Sequence, residues 1–267
     1  MSIPRAAFDR RTALAAIPVA MVAPMHSARG ATSVEDEPVA ALWPTQDADL
    51  ARQVVGASHA NLDLVRDLVS DRPALAKAAW DWGFGDWETA LGAASHTGRR
   101  EIAEFLIAHG ARPDLFTFAM FDQVDVLRPL LVAMPDLAGL PGPHGITLRR
   151  HAEAGGAARV LDLLESFPAS NRGPSSLPVT ETEGDTMLGT YRFGPRSDGV
   201  LVIERNRQGD LAIRRGTFSS RVLHRVEADS LTFAPAGSPA VRIRLQGDTL
   251  TVIDGRFSLA ASRQTGG

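Results

Sequence analysis

The stretch that decides the fold runs from Asp86 to Asp114 and reads DWETALGAASHTGRREIAEFLIAHGARPD. Small residues fill its first half until Gly98 interrupts the chain. Ile102, Phe105 and Leu106 then recur with the i, i+3, i+4 spacing of one helix face. A glycine follows as a helix cap, and a proline three positions later cannot continue the helix. The stretch therefore predicts two short helices whose apolar stripe is buried between helices.

The same pattern recurs in weaker form on both sides of this stretch. Positions equivalent to Ile102 are Val65, Val126 and Val160, so successive copies lie 37, 24 and 34 residues apart. Each copy has an apolar helix face, and the second spacing, 24 residues, is too short for a complete unit. We therefore expect four repeats, the third of which has lost most of a loop or hairpin.

The segment from Thr89 to Gly98 resembles the ankyrin repeat, G-x-T-P-L-H-x-A-A-x-x-G, whose period is about 33 residues. Ala90 stands where the family has proline, and Gly92 stands where it has histidine. The repeat is thus a degenerate member of the family. The resemblance implies an α-solenoid of about four ankyrin repeats over residues 39–167, and it implies a protein-binding role.

A different composition begins after residue 167. Residues 168–184 are rich in Pro, Ser, Gly and Thr, which predicts a linker. Apolar and polar residues then alternate, as at Val241, Ile243 and Leu245. Residues 185–263 therefore predict a small antiparallel β-barrel or sandwich, followed by a disordered tail (residues 264–267). Hairpin turns are expected at Gln208-Gly209, Gly247-Asp248 and Asp254-Gly255.

The entry to this β domain, from Leu188 to Gly194, reads LGTYRFG. It resembles the L-x-G-x-Y-x-x-G start of the lipocalin-like domain appended to serine β-lactamase-type hydrolases. The S-x-x-K motif of those hydrolases is missing from this chain, so the resemblance implies a fold and no hydrolase chemistry. The whole chain is thus predicted as a multidomain α+β protein.

The first residues have the character of an export signal. An arginine-containing start precedes an apolar run that is too short to span a bilayer. The pair Arg10-Arg11 resembles a twin-arginine signal. Residues 1–30 are therefore predicted as a signal peptide and residues 31–38 as a disordered acidic leader. We expect an exported protein, periplasmic or secreted, whose mature chain does not insert stably in a membrane.

Catalytic and metal-binding signatures are not evident in the sequence. The chain lacks cysteine, which excludes thiolate catalysis and cysteine-based metal sites. Basic residues are scattered among strands, which argues against nucleic-acid binding. The dispersed histidines, among them His59, His96 and His109, are interpreted as structural positions of the repeats. We therefore expect no enzyme activity, no cofactor and no metal site.

An aromatic group stands out between the first two repeats. Trp80, Trp82, Phe84 and Trp87 lie in the segment AWDWGFGDW, at the place of an ankyrin finger. Tryptophan is enriched in binding hot spots, so these four residues are the predicted binding site for another protein. Packing against a neighbouring finger is the alternative, although Trp82 and Phe84, near the glycines, are expected to be exposed.

Two other functions stay open. A small-ligand site or an enzyme site could lie in the mouth of the β domain, lined by Tyr191, Arg242 and Arg244. Alternatively, the basic β domain could dock on the acidic repeats of a second copy and form a self-assembled scaffold.

Overall fold

A computed structural model describes residues 45–171, 176–194, 199–216 and 218–264. The predicted signal peptide (residues 1–30) and leader (residues 31–38) lie outside these ranges. Residues from Leu42 to Gly267 form one compact unit. Within the described ranges, none of the helices has the length and hydropathy that crossing a membrane requires.

The described residues before residue 172 fold into consecutive helix pairs. Each pair contains an inner helix that packs against the inner helices of other pairs, followed by an outer helix. The pairs are α1 (Ala48–Ala57) with α2 (Leu62–Asp71), α3 (Ala90–His96) with α4 (Arg100–Ala108), α5 (Leu115–Met120) with α6 (Val124–Ala133), and α7 (Leu148–Gly155) with α8 (Ala158–Glu165). Short 3-10 helices follow α2, α6 and α8 at Pro73–Lys77, Pro135–Gly139 and Pro168–Asn171.

Local sequence explains where these helices begin and what they bury. The side chains of Asn61, Thr89 and Thr147 each accept a backbone hydrogen bond at a helix start. Ile102 and Leu106 are buried, as the apolar stripe predicts. The prediction was wrong for the third member of the stripe. Phe105 is only half-buried, because it lies at the edge of the core beside the His109 ring.

Two fingers project from the helix pairs. The first is the hairpin of β1 (Ala79–Asp81) and β2 (Trp87–Thr89) between α2 and α3. The second lies between α6 and α7 and contains the 3-10 turn Pro143–Gly145. The short connection between α4 and α5 contains no hairpin, which agrees with the short spacing of 24 residues between Ile102 and Val126 in the sequence. The first and second fingers therefore meet directly.

The second half of the chain is a closed antiparallel barrel of eight strands, which decides between the predicted barrel and sandwich. The three turns expected from the sequence each join consecutive strands of the barrel. Each strand pairs with its neighbour in sequence, and the last strand closes on the first. The strands are β3 (Gly189–Arg192), β4 (Val200–Arg205), β5 (Leu211–Arg215), β6 (Arg221–Arg225), β7 (Thr232–Pro235), β8 (Arg242–Gln246), β9 (Thr249–Asp254) and β10 (Phe257–Arg263).

The segment before the barrel contains a helix, although the sequence predicted a linker over residues 168–184. Helix α9 (Glu181–Met187) begins inside that range with a capping box between Thr180 and Glu183. It ends at Met187, which is fully buried in the barrel core.

The barrel interior is filled with apolar side chains. Ile203, Ile213 and Phe233 are buried in its core together with Tyr191, whose hydroxyl donates to the carbonyl of Met187. The residues expected to line a ligand site do not converge. The guanidinium of Arg242 bonds to carbonyls of residues 239 and 241, and that of Arg244 bonds to residues 227 and 232.

Candidate metal centre

Four side chains from separate parts of the helix pairs meet beside the two fingers. His59 lies in the turn after α1, Glu88 on β2, His96 at the end of α3, and His144 in the second finger. One ligand atom from each lies within 4.8 Å of every other. We call these four residues the histidine cluster.

The repeat pattern explains why the four residues converge. His59 and His96 are 37 residues apart, the same spacing as between Val65 and Ile102, so they occupy equivalent positions in successive repeats. This shared spacing is visible in the sequence and could have identified the pair. His144 reaches them because the third repeat has no finger. The spacing of apolar residues predicted that loss but not the contact that it allows.

Glu88 is the centre of the cluster. Its carboxylate is fully buried, and each of the three histidines directs Nε2 toward it. The Nε2 atom of His96 lies 2.8 Å from Oε1, and that of His144 lies 3.3 Å from the same oxygen. The Nε2 atom of His59 lies 3.4 Å from Oε2.

Neighbouring groups orient the rings so that Nε2 faces inward. His59 has Nδ1 3.1 Å from the carbonyl of Gly56, and His144 has Nδ1 2.6 Å from Oδ2 of Asp86. A proton on Nδ1 in both rings leaves the Nε2 lone pair free for a ligand bond. The indole of Trp82 donates to Oε2 of Glu88 at 2.8 Å and fixes the carboxylate.

Asp86 supports the cluster from the outside. Its Oδ1 also accepts the backbone N–H of His144 at 2.8 Å, which holds a left-handed turn at that residue (φ 59°). Its Oδ2 accepts from Nε of Arg221 at the start of β6. A buried aspartate thus joins a cluster histidine to the barrel.

Without a metal, one added proton, on His144, is enough to balance the buried charges at the cluster. Burial alone raises the pKa of Glu88, but the close contacts of His144 and His96, together with the charge of His144 and His59, more than offset burial and hold the pKa well below its usual range. Burial likewise raises the pKa of Asp86, and hydrogen bonds from His144 reverse the shift. Burial lowers the pKa of His144, yet bonds to both carboxylates raise it to about 9. Without a metal, protonated His144 and Arg221 therefore neutralise two buried carboxylates. A metal ion bound at Nε2 of His144 would replace the proton on that atom.

Two observations fit the cluster to a metal ion. Oε1 of Glu88 and Nε2 of His96 are buried and 2.8 Å apart, yet neither makes a well-angled hydrogen bond. Both are donor atoms that a cation would satisfy. In addition, tetrahedral zinc with bonds of about 2.0–2.2 Å separates its ligand atoms by roughly 3.3 Å. The 3.3 Å between Nε2 of His144 and Oε1 of Glu88 matches that separation. Nε2 of His96 lies closer to the same oxygen, at 2.8 Å, and Nε2 of His59 lies 3.4 Å from the other oxygen of Glu88.

Another histidine borders the cluster without joining it. Nδ1 of His151 lies 2.8 Å from Oγ of Ser95, and its ring contacts Phe116. Burial, together with the nearby charge of His96, lowers the pKa of His151 to about 3. The ring is therefore neutral, and it forms part of the wall behind His96.

The four aromatic residues of the predicted binding site differ in exposure and in what they contact. Trp87 is 64% exposed. Trp82 and Phe84 are half-buried, contrary to the expected exposure, because Trp82 bonds to Glu88 and Phe84 packs against the barrel core. Trp80 is half-buried against the core of the first helix pairs.

Comparisons with known proteins give no further assignment. The chain matched no protein-family model, and a comparison with curated proteins gave no significant match.

Proposed function

We propose that this protein binds one divalent transition-metal ion, with zinc the best fit, through His59, Glu88, His96 and His144. The observation that carries the proposal is the convergence of three Nε2 atoms on one buried carboxylate. Imidazole and carboxylate ligands together suit zinc.

The donor set favours a structural role over a catalytic one. Four protein ligands complete a tetrahedron, whereas catalytic zinc sites usually keep a position open for water or substrate. The side chains of the four ligands are 0% (Glu88), 9% (His96), 19% (His144) and 31% (His59) exposed, so the centre is mostly buried and is most open at His59. A non-catalytic protein therefore stays our proposal, now with a metal that the sequence did not predict.

The identities of the domains around the metal centre are proposed from the sequence resemblances. Consecutive helix pairs, with a finger before the second and the fourth, support a degenerate ankyrin stack over residues 39–167. The closed eight-stranded barrel supports a lipocalin-like domain over residues 185–263. Export through an N-terminal signal stays part of the proposal.

A zinc titration tests the metal centre. Metal is removed from the purified protein with a chelator. Zinc is then added while the protein competes for it with a chromophoric zinc chelator of known affinity. We expect one zinc per chain. His59→Asn or His96→Asn should each weaken zinc binding by about 100-fold or more. Loss of a residue that only hydrogen-bonds to a metal ligand costs about 10–100-fold in affinity, and loss of the ligand itself should cost more.

His109→Asn is the matched control. His109 also bonds through Nδ1 to a backbone carbonyl, at Phe105, but it is exposed and outside the cluster. Its variant should bind zinc as the parent does. Absence of stoichiometric zinc in the parent protein, or equal loss in all three variants, would refute the metal centre.

Protein binding through the first finger is a second candidate function. The observation that favours it is the exposure of Trp87, a large apolar side chain on the finger strand β2. The other three predicted anchors contribute to packing in the free protein, so we now assign the partner contact to Trp87 alone.

Replacement of Trp87 by serine tests this candidate. Because the ring is exposed, we expect the melting temperature to change by less than about 2 °C. A partner captured from a periplasmic extract should lose affinity for the variant when both proteins are purified and titrated. Equal affinity for parent and variant would remove Trp87 from the binding surface.

A further inference from the structure

We infer that a metal ion in the histidine cluster locks the helix pairs onto the barrel, and that Asp86 and Arg221 transmit this coupling. The inference rests on the proposed metal centre and adds what the metal does.

The ion pair of Asp86 and Arg221 joins the first finger to the barrel. The side chains of Asp86 and Arg221 are 1% and 7% exposed. The remaining guanidinium bonds of Arg221 go to carbonyls of the barrel chain at residues 219 and 220. A buried charge is unfavourable without a partner of opposite charge. Separation of the two halves would therefore deprive Asp86 and Arg221 of the charge that compensates each of them.

Close backbone approach shows that the fingers and the barrel fit each other. A Cβ on Gly237, in the turn between β7 and β8, would lie 2.6 Å from Oδ1 of Asp86. A Cβ on Gly145, in the second finger, would lie 3.2 Å from the Cβ of Ala236 in the same turn. Phe84 also packs against the barrel core. We call this contact region the seam.

The metal would fix the finger side of the seam. Its ligands come from the first helix pair, from the first finger with its following helix, and from the second finger. His144 would hold the metal through Nε2 while it donates through Nδ1 to Asp86. Removing the metal would leave the contacts of His144 with Asp86 and Glu88 but take away the shared metal ligand, so the aspartate that Arg221 contacts would be held less firmly.

The chain carries separate spectroscopic probes for the two halves. All four tryptophans precede Ala90, and Trp80, Trp82 and Trp87 lie in the first finger, whereas Trp43 is outside the described residues. Tryptophan fluorescence therefore reports on the part of the chain before the barrel. The single tyrosine, Tyr191, is buried in the barrel core. With 3-fluorotyrosine in the protein, a single ¹⁹F resonance reports on the barrel alone.

Thermal unfolding is followed with both probes, in zinc and in chelator, on samples whose bound zinc is measured. With zinc, we expect one coincident transition. With chelator, the fluorescence and ¹⁹F midpoints should fall and separate, the fluorescence midpoint by roughly 5–10 °C relative to zinc at 100 times its dissociation constant. This measurement needs no variant.

Arg221→Gln tests the route of coupling, and Arg225→Gln is its control. Arg225 is a buried arginine on the same strand that bonds to Glu183 and to carbonyls on the side of α9, away from the seam. Both changes remove a buried arginine from β6. In Arg221→Gln, zinc should still raise the fluorescence midpoint but should no longer move the ¹⁹F midpoint. In Arg225→Gln, zinc should raise both.

The outcomes separate the two proposals. Stoichiometric zinc that leaves the ¹⁹F midpoint of the parent unchanged overturns the lock and leaves the metal centre intact. Equal responses of the two arginine variants overturn the route through Asp86 and Arg221. Failure of the parent to bind zinc overturns the metal centre itself, and the lock with it.

Discussion

Gly98 controls how closely two helix pairs approach each other. It has φ of 67°, and a Cβ built there would lie 2.1 Å from the carbonyl oxygen of Ala154 on α7. Gly110 also has a positive φ, 94°, but its Cβ position is open. Substitution of the two glycines by alanine therefore separates the free-energy cost of a strained backbone conformation from the cost of steric overlap with a neighbouring helix.

We expect Gly110→Ala to lower the free energy of unfolding by roughly 1–2 kcal/mol through backbone strain. Gly98→Ala should cost roughly 2–5 kcal/mol, since overlap with the neighbouring backbone is added to the strain. Urea unfolding of both variants measures the difference. Equal costs would show that α7 can move away from Gly98, and the packing argument would then be wrong.

Single residues also show where the sequence stops being informative. The period of the apolar stripe identified Ile102 and Leu106 as core residues, but it could not place Phe105 at the edge of that core. Exposure of Trp82 was inferred from nearby glycines. Trp82 is instead half-buried, and its indole bonds to Glu88, a charged residue that a local pattern assigns to the surface.

At the scale of elements, the sequence predicted most of the fold. Helix periodicity located the outer helices, and strand alternation with hairpin turns located the barrel strands, because these signals are local. Helix α9 was missed inside a segment with a linker composition. Its signal was the capping box that begins at Thr180, a pattern too short to outweigh the surrounding Pro and Ser.

The arrangement of the two fingers explains why the metal centre was not predicted from the sequence. Asp86 and His144 each lie three residues before a capping threonine, Thr89 and Thr147, so they occupy equivalent finger positions. They meet because the finger between them is missing, and not because of any pairing signal in the strands. A contact created by a deletion has no local signature, so only the three-dimensional arrangement shows it.

The two halves of the whole molecule also carry opposite charge. Residues 32–170 contain 20 acidic and 11 basic residues, and residues 185–263 contain 8 acidic and 12 basic ones. Attraction between the halves is thus a second explanation for a coupled seam. The two explanations differ in their response to salt.

Salt screens exposed charges over about 10 Å at 0.1 M and over about 3 Å at 1 M, whereas a buried pair is screened much less. The seam pair, Asp86 and Arg221, is almost fully buried. We therefore expect the fluorescence and ¹⁹F transitions of the zinc-loaded protein to stay coincident as sodium chloride rises from 0.05 to 0.5 M, with free zinc held in excess. If the barrel transition separates as the salt concentration rises, general attraction between the acidic and basic halves holds the molecule together, and the buried pair does not.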